Sequence, residues 1–196
     1  MSQPQQPPQH PPQEWCPAMI PSLFLIGDIT LGLWAFATGL VPLELMSVLG
    51  QWILALSIPL LMLGMVDMRR GDVLGATLNM VFGGILGLGT AFSFMRTLWQ
   101  APVAMTLDGY FLFGGAIILL LLVPAAFKHS KLMAIFMIDV SIALFCISLA
   151  SIGIIPTHLG FMIGGWLALA FSMFALYSGT AAILGFVYKR PVLPMF

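Results

Sequence analysis

The sequence predicts an all-α membrane protein whose chain crosses the bilayer six times. Three observations predict it: an unusually apolar composition, six long apolar runs, and basic residues that cluster on one side of those runs. Of the 196 residues, 60% are hydrophobic and 7% are charged, and the mean hydropathy is +1.05. A soluble domain is nearer to about 45–50% apolar and about 25% charged. A soluble protein of this length could not bury so much apolar surface in one core, so its solvent must be lipid.

The apolar runs have the length of membrane-spanning helices. A helix that rises about 1.5 Å per residue needs about 20 residues to cross about 30 Å of hydrocarbon. Backbone amides in lipid must bond within their own segment, and the runs lack the alternating polarity of a barrel, so the spans are helical. The predicted spans are residues 20–41, 46–66, 73–95, 109–127, 132–153 and 160–187.

Residues 1–18 differ from the rest of the chain because they are rich in proline and glutamine. This composition is typical of a disordered or polyproline-like segment. The stretch lacks the basic start of a secretory signal, and the apolar run after it is longer than a signal core. We therefore expect a disordered cytoplasmic tail over 1–18, a six-helix transmembrane domain over 19–188 and a short cytoplasmic tail over 189–196.

The positions of the basic residues predict the orientation. The chain has seven Lys and Arg, and all but Arg96 fall on one side if both termini share a compartment. An excess of Lys and Arg marks the cytoplasmic side of a membrane protein. We therefore expect a multi-pass protein of the plasma membrane with both termini in the cytoplasm. The residues on that side are Arg69, Arg70, Lys128, Lys131, Lys189 and Arg190.

Glycines are spaced for close helix packing. Gly83 and Gly87 lie four residues apart in the third predicted helix, and Gly160 and Gly164 have the same spacing in the sixth. Small residues at this spacing let helix backbones approach each other in lipid. The sequence leaves open whether these glycines pack helices within one subunit or between the subunits of a homo-oligomer.

Two carboxylates lie within predicted spans, Asp28 in the first and Asp139 in the fifth. Each costs about 2.5–3.5 kcal/mol at mid-membrane on insertion scales, so we expect both to face protein or water. One interpretation is a structural Asp that is protonated or hydrogen bonded to a nearby Ser or Thr. The other is a pore-lining carboxyl that is neutral when protonated and relays a proton.

No pattern in the chain is typical of an enzyme or a metalloprotein. The sequence contains no nucleophile–His–acid set, no phosphate-binding loop and no Cys or His cluster at metal-ligand spacing. The net charge of zero and the few basic residues disfavour a nucleic-acid partner. We expect no catalytic residue, no cofactor and no metal.

Three local motifs resemble one family, the acetate uptake transporters, which include the bacterial succinate–acetate permease. Residues 64–77, Gly-Met-Val-Asp-Met-Arg-Arg-Gly-Asp-Val-Leu-Gly-Ala-Thr, look like the family pattern Gly-x-x-Glu-x-Lys-Lys-Gly-Asn-x-x-Gly-x-Thr. Residues 164–177 begin with Gly-Gly-Trp and end with Ala-Leu-Tyr, similar to the family's Ala-Gly-Trp and Ala-x-Tyr at the same spacing. Residues 190–194, Arg-Pro-Val-Leu-Pro, resemble its Arg-Thr-Val-Leu-Pro.

This resemblance implies six transmembrane helices around a central pore in each subunit, with the subunits assembled as a homohexamer. It also implies passage of acetate and similar small monocarboxylates, with succinate as a further substrate, by proton-linked symport or in a channel-like way. The implied partners are a small carboxylate substrate, the lipid bilayer and further copies of the chain.

The resemblance also implies a narrow apolar gate, which in the family uses a Phe on helix one, a Tyr on helix three and a Leu on helix five. The Tyr falls on Phe82 and the Leu falls near Val140. The helix-one Phe falls on Gly27, with Phe24 one turn earlier. Pro21 matches a proline of the family's helix-one motif, where free amides at the helix start could hold a carboxylate. A simple helix start is the alternative interpretation of Pro21.

Departures from the family keep two other functions open. The family's helix-one Asn is absent, its helix-two Gln aligns with Leu60, and the gate hydroxyl is lost at Phe82. Because fewer polar groups remain for a carboxylate, one alternative is a channel for a neutral or weakly basic solute such as ammonia or urea. The other is a non-transporting membrane scaffold or sensor that recruits a partner through the Pro/Gln-rich tail.

Overall fold

The computed structural model describes residues 18–96 and 105–194. In these ranges the chain forms 6 helical spans that are long and apolar enough to cross a membrane, and no residue is in a β-strand. The predicted all-α, six-span fold of a multi-pass membrane protein is therefore confirmed. Almost all of the predicted N-terminal tail, and the last two residues of the chain, lie outside the described residues, so the domain boundaries stay a prediction.

The helices follow the predicted segments and differ from them mainly at their ends. A short 3-10 turn, Leu43–Leu45, precedes the second span, and a π-helical segment interrupts the third. The helical elements are α1 (Met19–Ala37), α2 (Met46–Arg70), α3 (Val73–Met80), the π segment (Val81–Gly89), α4 (Thr90–Met95), α5 (Thr106–His129), α6 (Lys131–Ile152) and α7 (Thr157–Tyr188). The third span is thus α3, the π segment and α4 in succession.

Glycines in the left-handed backbone region end the first two spans. Gly39 follows α1 with φ +76°, and Gly71 follows α2 with φ +77°. Glycine adopts this conformation without the steric cost that a side chain brings, and helices commonly end there. The first helix therefore ends at Ala37, although the apolar pattern continues to residue 41.

The polar residues between spans cap the next helix. Asp72 accepts a hydrogen bond from the backbone N–H of Gly75 at 2.9 Å, and Ser130 accepts one from the backbone N–H of Met133 at 3.4 Å. Both caps satisfy an amide that has no partner inside its own helix. Tight turns at 71–72 and at 130 therefore join antiparallel neighbours.

The spans pack as a closed ring in chain order. α1 packs on α2, α2 on the third span, the third span on α5, α5 on α6, α6 on α7, and α7 returns to α1. Because the number of spans is even, the start of α1 and the end of α7 lie at one end of the bundle, which we call the terminal end; the other is the distal end. The basic residues flank the terminal end, except Arg96 at the distal end. Which end faces the cytoplasm stays a prediction.

The glycine pairs singled out in the sequence lie where helices of the same chain touch. A Cβ built on Gly164 would lie 2.5 Å from Cγ1 of Ile147 on α6, and one on Gly160 would lie 2.5 Å from Cβ of Ala150. Only a residue without a side chain allows α6 and α7 to pack this closely. These two positions therefore serve contacts inside the subunit.

The third span uses its glycines in the same way against α2. A Cβ on Gly83 would lie 2.9 Å from Cγ of Leu61, and one on Gly87 would overlap Oγ of Ser57. Ser57 is fully buried, and its hydroxyl donates to the carbonyl of Ile53 at 2.6 Å. One face of the third span is thus held against α2, which leaves the opposite face to the middle of the ring.

Candidate functional site

The ring encloses a cavity that extends from the middle of the bundle to the distal end. Its volume is about 160 Å³, and every span except α2 contributes to its wall. The wall consists of aliphatic, aromatic and glycine residues apart from five polar residues, which are Thr30, Thr90, Ser93, Asp108 and Ser151. Such a wall rejects hydrated ions and favours small solutes that shed water at low cost.

An apolar floor closes this cavity at mid-bundle. We define the floor as Ile26, Phe82 and Val140, which line the cavity, together with Phe171, which supports Phe82 from α7. The four side chains are at most 6% exposed and belong to one buried cluster. The rings of Phe82 and Phe171 stack with centroids 5.7 Å apart and planes at 11°. Sequence reasoning pointed to Phe82 and Val140 but missed Ile26 and Phe171.

More aromatic rings lie between the floor and the terminal end. The ring centroids of Phe171 and Phe174 are 6.3 Å apart. The ring of Phe174 stacks on that of Phe136 of α6, with centroids 4.0 Å apart and planes at 9°. Offset and stacked ring pairs contribute about 0.5–1.5 kcal/mol beyond their buried area. The rings of Phe171, Phe174 and Phe136 thus form a packed row between the floor and the terminal end.

The third span faces the cavity mainly through its π segment. Phe82 and Leu86 are four residues apart, as are Ile85 and Gly89, and all four line the cavity. Positions three, four and seven residues apart share one face of an ordinary α-helix as well. π segments are rare, and they occur frequently at functional sites. No signal in the sequence distinguishes this segment from ordinary α-helix.

The cavity has a charged rim at the distal end. Asp108, in the first turn of α5, lines the cavity. Its Oδ2 accepts hydrogen bonds from Nη2 of Arg96 at 2.8 Å and from Oγ of Ser93 at 2.7 Å. The side chains of Arg96 and Asp108 are 29% and 25% exposed. Sequence reasoning noticed Arg96 as the one basic residue on its side, but it missed the carboxylate partner.

The helix-one residues proposed from the family resemblance do not line the cavity. The ring of Phe24 faces α7, where a Cβ on Gly179 would lie 3.1 Å from its Cε2. The carbonyl of Gly27 accepts a hydrogen bond from Oγ of Ser172 at 2.7 Å, so this residue also faces α7. Pro21 is exposed at the start of α1. Their part in a substrate pathway stays a prediction.

The two membrane carboxylates are also outside the cavity wall. Asp28 is exposed on the surface of the single chain. Oδ2 of Asp139 is buried without a hydrogen-bond partner among residues 18–96 and 105–194. The nearby hydroxyls donate to backbone carbonyls of their own helices instead of to these carboxylates. Thr30 donates to the carbonyl of Ile26 at 2.9 Å, and Ser141 donates to the carbonyl of Met137 at 2.7 Å. A proton-relay role stays a prediction for both carboxylates.

A buried polar cluster ties three elements together at the terminal end. Asp67 is 1% exposed, and its Oδ2 accepts a hydrogen bond from Nδ2 of Asn79 at 2.9 Å. The backbone of Ala18, just before α1, also hydrogen bonds to this carboxylate. Buried carboxylates need such partners, so the cluster fixes the start of α1 against α2 and α3.

Comparison with known proteins supports the fold through structure alone. No family model matches the chain, and no curated protein matches it in sequence. Among solved structures, that of the bacterial acetate channel SatP superposes with a TM-score of 0.80 at 17% sequence identity, covering 93% of this chain and 100% of that one. The resemblance found in the three sequence motifs is therefore confirmed at the level of the fold.

Proposed function

We propose that each subunit of this protein provides one pore for acetate and similar small monocarboxylates, and that the pore is shut at the floor. The observation that carries the proposal is the apolar cavity, which lies inside a ring of six spans and ends at Phe82 and Val140. The shared fold with a bacterial acetate channel supports the same substrate class. Succinate is a further candidate substrate.

The apolar floor favours passage of the acid together with a proton. A carboxylate that crosses a dry apolar waist loses its hydration, and moving an unpaired charge into such surroundings costs far more than moving a neutral polar group. The floor offers no polar side chain, since its members are Ile, Val and two Phe residues. Protonation of the solute before it crosses the floor therefore lowers the barrier.

Several copies of the chain together form the functional unit in this proposal. Asp28 is exposed on the surface of the single chain within a membrane span, where a carboxyl facing lipid is unfavourable. A neighbouring subunit that covers this face of α1 removes the problem. We propose a homo-oligomer, a hexamer by family resemblance, in the plasma membrane with cytoplasmic termini.

The test is solute flux into proteoliposomes that contain the purified protein. Because the neutral fraction of acetic acid crosses lipid without protein, initial rates are measured by rapid mixing and those of protein-free liposomes with the same pH gradient are subtracted. We expect saturable acetate uptake that increases when the outside is made more acidic than the inside. Uptake no faster than in protein-free liposomes would refute the proposal.

A neutral-solute channel is the second candidate, because a predominantly apolar wall also suits small uncharged molecules. Radiolabelled urea in the same vesicles separates the two functions. Fast urea flux without acetate flux would replace the carboxylate proposal. Flux of neither solute would favour a scaffold or sensor.

A further inference from the structure

The charged rim contains the only Lys or Arg at the distal end of the bundle. The sequence has seven such residues, and the other six flank the terminal end. Arg96 follows α4 directly, and its guanidinium reaches the Asp108 carboxylate that lines the cavity. A solute that enters from the distal end therefore passes this pair at the mouth of the cavity.

Two other hydroxyls of the cavity wall are already used by their own helices, and among the described residues the wall contains no second cation. The Thr30 hydroxyl donates to the carbonyl of Ile26 at 2.9 Å, and the Ser151 hydroxyl donates to the carbonyl of Ile147 at 2.9 Å. A hydroxyl has a single proton to donate, so neither has one left for a carboxylate. Arg96 is thus the group at the mouth best suited to an anion, because a guanidinium presents several N–H donors in a planar fork that matches a carboxylate.

We propose that Arg96 is the first binding group for the substrate carboxylate and that Asp108 is a tethered competitor for it. This inference rests on the proposed carboxylate function and adds to it a residue that sets substrate affinity. Nη2 of Arg96 donates its hydrogen bond to the Asp108 carboxylate. A substrate carboxylate would accept the same kind of hydrogen bond from this guanidinium. An arriving anion exchanges with Asp108, while Ser93 holds the displaced carboxylate through its hydrogen bond to Oδ2.

The pair also balances the charge of the mouth. Without Arg96 the Asp108 carboxylate would repel anions from the cavity, and without the charge on Asp108 the guanidinium would attract them more strongly. A unit charge within several Å of the solute, at a dielectric between that of a protein surface and that of water, changes affinity on the order of tenfold. The two single substitutions therefore change substrate affinity in opposite directions. A purely structural role of the pair would instead predict effects of the same sign from both substitutions.

The experiment measures KM and maximal rate for acetate uptake in proteoliposomes, together with the thermal midpoint of each purified variant. We expect Arg96→Gln to raise KM on the order of tenfold and Arg96→Lys to restore most of the loss, because Lys keeps the charge. Asp108→Asn, which keeps the shape of the side chain, is expected to lower KM by a similar factor. The double variant Arg96→Gln/Asp108→Asn should have a KM between those of the two single variants, because it loses the cation and the competing carboxylate together.

Glu44→Gln is the matched control, because Glu44 is an exposed carboxylate at the distal end that does not line the cavity; its KM should equal that of the wild type. Wild-type acetate uptake with an unchanged KM in Arg96→Gln overturns this inference and leaves the proposed function standing. If Arg96→Gln does not fold, Asp108→Asn decides, and a KM that is unchanged or raised overturns the inference. A wild-type protein without acetate uptake overturns both.

Discussion

Removing the Phe82 ring is the most direct perturbation of the floor. Phe82 is 6% exposed, lines the cavity and stacks on Phe171. Phe82→Ala opens the cavity toward the row of rings below it and removes one of the two stacked rings. We expect faster acetate flux and weaker discrimination against larger acids such as benzoate.

The size of the effect follows from the hydration that the solute can keep. A polar group that is moved into apolar surroundings without a partner loses about 2–7 kcal/mol. Room for one extra water-mediated hydrogen bond at the floor recovers about 0.5–1.5 kcal/mol of that loss. Since about 1.4 kcal/mol is a factor of ten in rate, acetate flux should rise about 2- to 12-fold. The same substitution should lower stability by about 3–5 kcal/mol, as for other buried Phe residues.

The assay compares initial rates of acetate and benzoate uptake in proteoliposomes with equal amounts of folded protein. Phe145→Ala is the matched control, because its ring forms an edge-to-face pair with Phe113 at 5.2 Å but does not line the cavity. It should lose stability without gaining flux. If Phe82→Ala transports acetate at the wild-type rate and benzoate at the wild-type rate, Phe82 is not part of the gate, whatever happens to stability.

Three further perturbations test packing, the buried polar cluster and assembly. Gly164→Ala should destabilise the α6–α7 contact by about 1–3 kcal/mol through overpacking. Gly114→Ala is the control and should be neutral or slightly stabilising, because a Cβ there meets nothing within 4 Å. Thermal unfolding in detergent compares the two variants, and equal midpoints would contradict the packing argument. Asn79→Ala removes a donor from the buried Asp67 carboxylate and should cost about 1–3 kcal/mol, measured in the same way, with no change expected if the contact is unimportant. Asp28→Leu should reduce the number of subunits per particle in native mass spectrometry if this carboxyl binds a neighbouring subunit, and an unchanged assembly would place Asp28 outside the interface.

The candidate site could be predicted only in part, and α1 shows why. The family resemblance pointed to Gly27 and Phe24, but Ile26 and Ile29 are the residues of this stretch that line the cavity. Neighbouring positions on a helix point in directions about 100° apart, because a turn holds about 3.6 residues. An alignment that is uncertain by one residue therefore exchanges a cavity-lining residue for one that packs on α7.

The π segment is a second feature that residue patterns do not reveal. Its apolar and glycine residues fit an α-helix equally well, and its cavity-lining residues have the spacing of an α-helical face. The close approach of Gly87 to Ser57 of α2 accompanies this arrangement. Contacts between spans, rather than local preference, decide which face of the third span meets the solute.

The sequence by itself determined the number of spans, their approximate bounds and the grouping of six basic residues at one end, since these depend on local length, hydropathy and charge. Only the tertiary structure decided how each helix is rotated, and hence which side chains form the cavity wall and the floor. It also brought Arg96 to Asp108, twelve positions apart and on different spans. The physical reason is that lipid selects any sufficiently apolar helix, whereas the rotation of a helix about its axis is set by which neighbouring surfaces fit together.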